Sequence, residues 1–168
     1  MGLETAMNFT IKPKKGHKFN VNGMELNAKS FGLIYFRKFH YLADKLASRI
    51  DEIDANTCNE YECTFDAESN GIDIILDTIR ESYQEGLNGY CNESYWDIGE
   101  VLRNEALAIH NLEVFKHYIA DKSRFDFVAM LDALTETDYK EKEIAEQIMR
   151  QEEIVDWDNI EVEFYNSY

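Results

Sequence analysis

The chain has 168 residues, of which 45% are hydrophobic and 13% aromatic, and its formal net charge is −16. This composition excludes a disordered chain and predicts a single domain over residues 1–168 with a real core. No run approaches the roughly 18 apolar residues that span a membrane, and no basic flank precedes an apolar run as in a secretory signal. We therefore expect a cytoplasmic protein.

The charge is unevenly distributed along the chain. Residues 1–50 carry nine Lys and Arg against three Asp and Glu, whereas residues 51–168 carry eight against thirty. A surplus of one sign keeps a protein soluble, but it destabilises the compact state by self-repulsion. The basic N-terminal part can relieve some of this repulsion by packing against the acidic part.

Residues 1–27 predict a β-meander. Phe9 and Ile11 alternate with polar neighbours, and Asn22-Gly23 is typical of a two-residue hairpin turn because both residues accept positive φ. A long helix is predicted next, over about residues 28–53, because apolar side chains recur at steps of three and four. Its stripe consists of Phe31, Tyr35, Phe39, Leu42, Leu46, Ile50 and Ile53.

Alternation in "EYECTFDAE" predicts a half-buried strand near residues 60–67, followed by a turn and a helix over about 72–86. A loop over 86–96 then leads to a long helix over about 95–121 and to a short helix that ends near residue 135. A last helix is predicted over about 138–155, and a C-terminal strand near 160–165 is expected to join the N-terminal meander. The expected fold is α+β, a small and mostly antiparallel sheet packed on one face by about five helices.

The turn after the strand near 60–67 resembles a calcium loop in its spacing. Asp66, Asn70 and Gly71 fit the first, fifth and sixth positions of such a loop, and Asp77 stands at the twelfth. Asp77 is shorter than the usual Glu, however, and the residues before the loop alternate like a strand instead of forming a helix. Strand, turn and helix is the favoured interpretation.

One helix carries a second weak metal candidate and an unusual acid. His110, Glu113 and His117 share one side of the helix over 95–121, but no partner motif completes a metal site. Glu105 falls within the main apolar stripe of the same helix. A buried acid there would be costly unless paired, so we expect an ion pair with the basic N-terminal part or exposure of this end of the helix.

Other chemistry has little support in the sequence. The three cysteines, Cys58, Cys63 and Cys91, show no metal-site spacing and are expected to be reduced thiols. No nucleophile, phosphate-loop or dinucleotide motif occurs, so we expect neither a catalytic residue nor a cofactor. "IYFRKFHY" at residues 34–41 interleaves aromatic and basic side chains, but the acidic field of the whole chain opposes direct nucleic-acid binding.

Ordered acidic residues are the strongest remaining feature. Residues 136–163 contain eleven Asp and Glu against three Lys and Arg, on a predicted helix, turn and strand. The predicted partner-binding acids are Glu141, Glu143, Glu146, Glu152, Glu153, Asp156, Asp158, Glu161 and Glu163. A second acidic group consists of Glu62, Asp66, Glu68, Asp73 and Asp77. The predicted aromatic anchors of the interface are Tyr90, Tyr95, Trp96 and Trp157.

Carboxylates held on a rigid surface can imitate a row of phosphates and bind in a positively charged groove. By analogy of size and charge with small acidic inhibitors from phages and mobile elements, we hypothesise a DNA-mimic inhibitor of a basic nuclease, of the anti-CRISPR or anti-restriction kind. Such a protein would act in the host cytoplasm. The alternatives are an immunity protein against a nuclease toxin, a metal- or calcium-binding protein or enzyme, and an assembly subunit whose acidity serves solubility.

Overall fold

The computed structural model describes residues 4–37, 40–59, 61–90, 98–120, 127–134 and 137–167, and it confirms the α+β class. The strands are β1 (Glu4–Ile11), β2 (Phe19–Val21), β3 (Met24–Leu26), β4 (Lys29–Arg37), β5 (Thr57–Cys58), β6 (Glu62–Asp66) and β7 (Glu161–Ser167). The α-helices are α1 (His40–Ser48), α2 (Gly71–Tyr90), α3 (Ile98–Phe115), α4 (Phe127–Ala133) and α5 (Tyr139–Met149).

Five of the strands form one antiparallel sheet in the order β4-β1-β7-β6-β5. The predicted pairing of the C-terminal strand with the N-terminal region is confirmed, because β7 lies beside β1. The hairpin at Asn22-Gly23 is also confirmed, with φ values of 51° and 78° at the two turn residues. The hairpin β2–β3 nevertheless stands apart from β1 as its own two-stranded sheet, so the predicted meander is not one continuous ladder.

The predicted helix over 28–53 is wrong in its first part, where the chain forms the edge strand β4. A bulge explains the error: Met7 pairs with Ile34 and Asn8 pairs with Gly32, which leaves Leu33 as an extra residue. A bulge places two successive side chains on the same side of the strand and breaks its alternation. The buried residues of β4, at Phe31, Leu33, Ile34 and Phe36, therefore do not alternate strictly, and the predicted helical stripe depended on Tyr35 instead, which is exposed.

Tyr35 illustrates the same correction. The predicted stripe places its side chain in a helix core, but in β4 it points away from the core, with 57% of its surface exposed. Its hydroxyl donates a hydrogen bond to Glu4 Oε1 at 2.9 Å. The helical segment begins only at His40, and it ends in a 3₁₀ turn over Ile50–Glu52.

The inner face of the sheet carries the core. Phe9 on β1 stacks on Phe31 with ring centroids 5.3 Å apart, and it also contacts Phe115 of α3 and Phe127 of α4 at 5.0 and 6.2 Å. Along β7 and β6 every second residue is buried, including Phe164. Alternation in the central strands is therefore produced by burial on one face.

The other boundaries mostly agree with the predicted elements. α2 continues to Tyr90, beyond the predicted end near 86, and residues 91–97 of the predicted loop lie outside the described residues. α3 is followed by a π-helical turn over Lys116–Ala120, which matches the predicted helix end near 121. α5 is capped by the Asp138 side chain, which accepts from the Lys140 N–H, and it ends earlier than predicted because 3₁₀ turns follow Arg150.

Among the helices within the described ranges, none combines the length and the apolar character needed to cross a bilayer.

Candidate functional site

The connection from β6 to α2 is a strand, a turn and a helix, as the favoured interpretation predicted. Asn70 is fully used as a backbone clamp: its Oδ1 accepts from the Asp54 N–H at 2.7 Å, and its Nδ2 donates to the Glu52 carbonyl at 2.8 Å. This clamp ties the turn to the segment after α1. The turn follows the strand β6, where a calcium loop would follow a helix, and the Asn70 side chain is engaged by the backbone.

Beside this turn lies a pocket of about 230 Å³, which we name the acidic pocket. It is lined by Asp54, Asp66, Ala67, Glu68, Ser69, Ile119, Trp157, Asp158 and Ile160. Four of these residues are carboxylates, and Trp157 adds an aromatic wall. Two of the predicted partner-binding residues, Trp157 and Asp158, are thereby brought together with Asp66 from the second acidic group.

Three separate segments build the acidic pocket. The Ala67 N–H donates to the Ile160 carbonyl at 2.8 Å and holds the β6–α2 turn beside the start of β7. Trp157 lies in a 3₁₀ turn and packs its ring edge-on against Phe127 of α4, with centroids 6.3 Å apart. Ile119 comes from the π-helical turn after α3. The indole is therefore fixed in place by the core instead of by the other pocket residues.

The outer face of the sheet, opposite the core, continues from the pocket. Four acids of β6 and β7 lie on this face, and we name them the outer-face acid cluster: Glu62, Asp66, Glu161 and Glu163. Asp66 stands directly opposite Glu161 across β6 and β7, and Glu163 stands opposite Thr64. Like charges that face each other across a strand pair are destabilising. Asp66 belongs to both features and joins the pocket to the sheet face.

The electrostatics of Glu163 reflect this crowding. Partial burial raises the pKa of Glu163 above its ordinary value, and the charges of Glu62 and Glu161, with a hydrogen bond to Glu62, raise it further. Among the described residues no Lys or Arg forms an ion pair with any of the four carboxylates. The cluster therefore concentrates negative charge that the described part of the chain does not neutralise.

Several carboxylates elsewhere are paired with cations of the basic N-terminal part, as the charge distribution suggested. Lys29 pairs with Glu141 at 3.1 Å, and Lys45 pairs with Glu81 at 3.4 Å. Arg49 contacts Glu52 and Glu81 and also donates to the Thr78 hydroxyl. Three cations from residues 1–50 thus hold acids of the second part, and they do so away from the outer-face acid cluster.

The predicted acids of α5 are dispersed relative to this site. Glu143 and Glu146 are exposed on α5, whose other side inserts Ala145 and Ile148 into the core. Glu141 is engaged with Lys29. Glu152 and Glu153 are exposed in the 3₁₀ turn Glu152–Ile154. This turn lies beside the lysine-bearing turn after β1, because the Lys14 N–H donates to the Ile154 carbonyl at 2.6 Å. The predicted partner-binding surface therefore divides into the acids on and just after α5 and the acids of the pocket and the sheet face.

The remaining predicted partner-binding residues are Asp156 and the aromatic anchors. Asp156 is half-buried and accepts a hydrogen bond from Asn159 at 2.9 Å, so it serves its own turn. Tyr90 is the last residue of α2, and its side chain is outside what the structure describes, as are Tyr95 and Trp96. Of the four predicted aromatic anchors, Trp157 is the one with a described position.

The histidine candidates, His110 on α3 and His117 in the π-helical turn after it, do not converge on a metal position. His110 Nε2 lies 2.9 Å from the Ala133 carbonyl on α4, and Glu113 forms an ion pair with Arg80. His117 packs against Tyr118, with ring centroids 4.9 Å apart. Across the described ranges, no group of three or more His, Cys, Asp or Glu side chains is arranged to hold a metal ion.

Glu105 is buried in α3, with 1% of its surface exposed, and its Oε1 has no hydrogen-bond partner. The expected exposure is therefore wrong, and among the described side chains no Lys or Arg forms an ion pair with Glu105. Burial raises the pKa of Glu105 to about 7. The acid does not line either the acidic pocket or the groove between α2 and α3.

Asp54 is the pocket residue that sequence reasoning missed. No local pattern marks it, since it follows a 3₁₀ turn and reaches the pocket only through the Asn70 clamp. Comparison of the chain with family models, with curated proteins and with solved structures finds no match. The chemistry of the acidic pocket and the outer-face acid cluster is therefore the basis for a functional proposal.

Proposed function

We propose that the chain is a protein-binding inhibitor of a basic, nucleic-acid-handling enzyme such as a nuclease. The partner docks on the outer-face acid cluster and places an Arg or Lys side chain in the acidic pocket. The observation that carries the proposal is the open sheet face on which Asp66 stands directly opposite Glu161, with no ion-paired Lys or Arg among the described residues.

The acid cluster suits a polyanion-binding surface on the partner. Residues two apart on a strand are about 7 Å apart, and neighbouring strands are about 4.8 Å apart, so the carboxylates form a fixed two-dimensional array. Charges on a folded strand lose less conformational entropy on binding than charges on a tail, because their backbone is already ordered. A basic groove that binds phosphates would relieve the repulsion between these carboxylates, which favours association.

The acidic pocket suits a single cationic side chain. A guanidinium donates two parallel hydrogen bonds to a carboxylate, and it stacks on an aromatic ring. The pocket offers both groups, because Asp54, Asp66 and Trp157 all line it. Trp157 can therefore supply the anchoring contact that was expected of an interface aromatic.

The net charge of −16 adds long-range attraction to such a partner. Electrostatic steering raises association rates and falls with ionic strength, so binding should weaken as salt is added. This behaviour does not separate an anti-restriction or anti-CRISPR protein from an immunity protein against a nuclease toxin. The two differ only in which enzyme is bound.

The test is retention of a panel of purified restriction, CRISPR and toxin nucleases on the immobilised chain at low salt. The site variant carries Glu62→Gln, Glu161→Gln and Glu163→Gln, which removes three charges without changing side-chain size. The matched control carries Glu143→Gln, Glu146→Gln and Glu153→Gln, which removes the same charge from exposed positions on or after α5. Glu141 is left unchanged because it pairs with Lys29.

We expect at least one nuclease to be retained and to be displaced by competing double-stranded DNA. It should bind the site variant on the order of tenfold more weakly, a loss of about 1.4 kcal/mol of binding free energy. The control should bind within about twofold of the unmodified chain. Equal binding by both variants would contradict the choice of surface. Failure of every nuclease to bind at low salt would contradict the proposed function itself.

A further inference from the structure

Cys58 on β5 and Cys63 on β6 are directly opposite each other in the antiparallel ladder. Both are free thiols. Residues that face each other across an antiparallel pair have their side chains on the same side of the sheet. The two sulfur atoms are therefore neighbours.

The position of this pair in the ladder suits a covalent link. The Asn59 N–H donates to the Glu62 carbonyl at 2.8 Å, so the adjoining pair carries a ladder hydrogen bond. Pairs alternate along an antiparallel ladder, which makes Cys58 and Cys63 the non-hydrogen-bonded kind, with Cα atoms about 4.5 Å apart. Disulfides require Cα separations of about 4.4–6.8 Å, so the backbone does not have to move.

The two thiols differ in access to solvent. Cys58 is exposed, whereas Cys63 is completely buried on the inner face. Burial raises the pKa of the Cys63 thiol, and the neighbouring Cys58 raises it further. A thiolate is the reactive form, so Cys63 is protected from solution oxidants in its own right. An oxidant therefore reaches Cys58 first, with Cys63 in contact behind it.

We propose that Cys58 and Cys63 form a redox-responsive pair, in which a peroxide oxidises Cys58 and Cys63 then closes an intramolecular disulfide that thiol reductants reopen. The proposal is independent of the function proposed above. The observation that carries it is the opposed placement of two mutually contacting thiols, one exposed and one buried.

The chemistry balances with a peroxide as the oxidant. The Cys58 thiolate attacks one oxygen of hydrogen peroxide, the O–O bond breaks, and protonation of the leaving hydroxide gives water and a sulfenic acid. The Cys63 sulfur then attacks the Cys58 sulfur and loses its proton, while the S–O bond breaks and a second water leaves. Two thiols and one peroxide thus give one disulfide and two waters.

The disulfide would lock the edge of the five-stranded sheet. β5 has only two residues. Besides the opposed cysteines, the Thr57 and Thr64 hydroxyls form a hydrogen bond of 2.6 Å between β5 and β6. A two-residue edge strand opens readily, because few backbone hydrogen bonds hold it. Oxidation would therefore fix β5 to β6, whose opposite neighbour β7 carries Glu161 and Glu163.

The experiment treats the reduced full chain with one equivalent of hydrogen peroxide, blocks free thiols with iodoacetamide, and maps tryptic peptides by mass. Cleavage after Arg49, Arg80 and Arg103 places Cys58 and Cys63 in the peptide 50–80 and Cys91 in the peptide 81–103. We expect the peptide 50–80 to lose the mass of two hydrogen atoms and to take up no iodoacetamide, while the peptide 81–103 is alkylated. Dithiothreitol should restore both alkylation sites.

Two variants separate the roles of the thiols. In Cys58→Ser the exposed thiol is removed, and Cys63 should remain reduced under the same treatment and alkylate fully after unfolding. In Cys63→Ala a sulfenic acid on Cys58 should accumulate and react with dimedone. Because position 63 is buried, circular dichroism must first confirm that this variant folds.

Several outcomes would overturn the proposal. These are a peptide 50–80 that keeps both thiols, one that gains oxygen atoms without losing hydrogens, and a disulfide that joins it to the peptide 81–103. Oxidation of Cys63 in the Cys58→Ser variant would also contradict it, because the exposed thiol would then not be the point of attack.

Discussion

The ring of Phe65 lies against the Cα of Gly71, so closely that a Cβ on Gly71 would lie 2.5 Å from Phe65 Cε2 and 2.7 Å from Cγ. Phe65 is completely buried at the end of β6, and Gly71 is the first residue of α2. The glycine that suggested a calcium loop therefore serves packing. It lets a core aromatic ring pass beneath the first turn of a helix.

Gly71→Ala should destabilise the fold by about 1–3 kcal/mol, because a buried ring must move to admit the methyl group. The matched control is Gly32→Ala on β4, where the new Cβ would meet Asn8 Oδ1 at an ordinary 3.8 Å. That control should be neutral or slightly stabilising, because alanine restricts the unfolded chain. Urea denaturation of both variants measures the difference, and equal stabilities would contradict the steric explanation.

Glu105→Gln should remove a pH dependence of stability. The pKa of Glu105 is raised from 4.5 to about 7 in the folded state, so the folded chain binds the proton more tightly than the unfolded chain. The free energy of unfolding should then fall as pH rises from about 4.5 to 7, by about 3 kcal/mol, and level off above that range.

The variant cannot ionise at this position, so its advantage over the unmodified chain should be small at about pH 4.5 and reach about 3 kcal/mol by about pH 8. Urea denaturation across this range checks it, and subtracting the two curves removes the contribution of the other acids. A difference that does not change with pH would show that Glu105 ionises normally.

Glu163→Gln should stabilise the fold at neutral pH. The folded-state pKa of Glu163 is raised by partial burial and then by Glu62 and Glu161, so ionisation of this carboxyl costs stability as pH rises through that pKa. The melting temperature of the variant should exceed that of the unmodified chain at neutral pH and match it in acid. Glu153→Gln, at an exposed position, should change stability by less than about 0.5 kcal/mol and is the control. An equal effect of both variants would contradict crowding on the sheet face.

Asn111→Leu should destabilise the edge of the sheet. The Asn111 Nδ2 donates to the Leu33 carbonyl at 2.9 Å, at the extra residue of the bulge. Removing the donor leaves a buried carbonyl without this partner, which costs about 1–3 kcal/mol. Amide hydrogen exchange should show faster opening of β4 than of β7. Asn159→Ala, which removes an exposed hydrogen bond to Asp156, should change stability by less than about 0.5 kcal/mol.

Short-range patterns were sufficient for much of the fold. Alternation located β6 and β7 because each has one buried and one open face, and Asn22-Gly23 located its hairpin because both residues adopt positive φ. β4 could not be located in this way. Its alternation is broken by a bulge whose existence depends on the register with β1, which is a property of two distant segments.

The candidate site was predictable only in part, for the same reason. The acids of β7 were identified from charge alone, but their neighbours Asp66 and Glu62 are contributed by a strand nearly a hundred residues earlier in the chain. Nothing in the local sequence distinguishes Glu141, which is paired with Lys29, from Glu143, which is exposed. The placement of Cys58 opposite Cys63 likewise could not be predicted without the register of β5 against β6.

The pairing of β1 with β7 has a consequence for biosynthesis. Of the strands in the five-stranded sheet, β7 leaves the ribosome last, yet it lies between β1 and β6. Until it emerges, the strand that joins β1 to β6 is missing, so each of these two strands has an unpaired edge. Such edges template intermolecular pairing, and contacts between the distant ends of a chain form slowly. A product that stops before residue 161 should therefore be a substrate for chaperones and proteases, because it lacks the strand that joins its two halves.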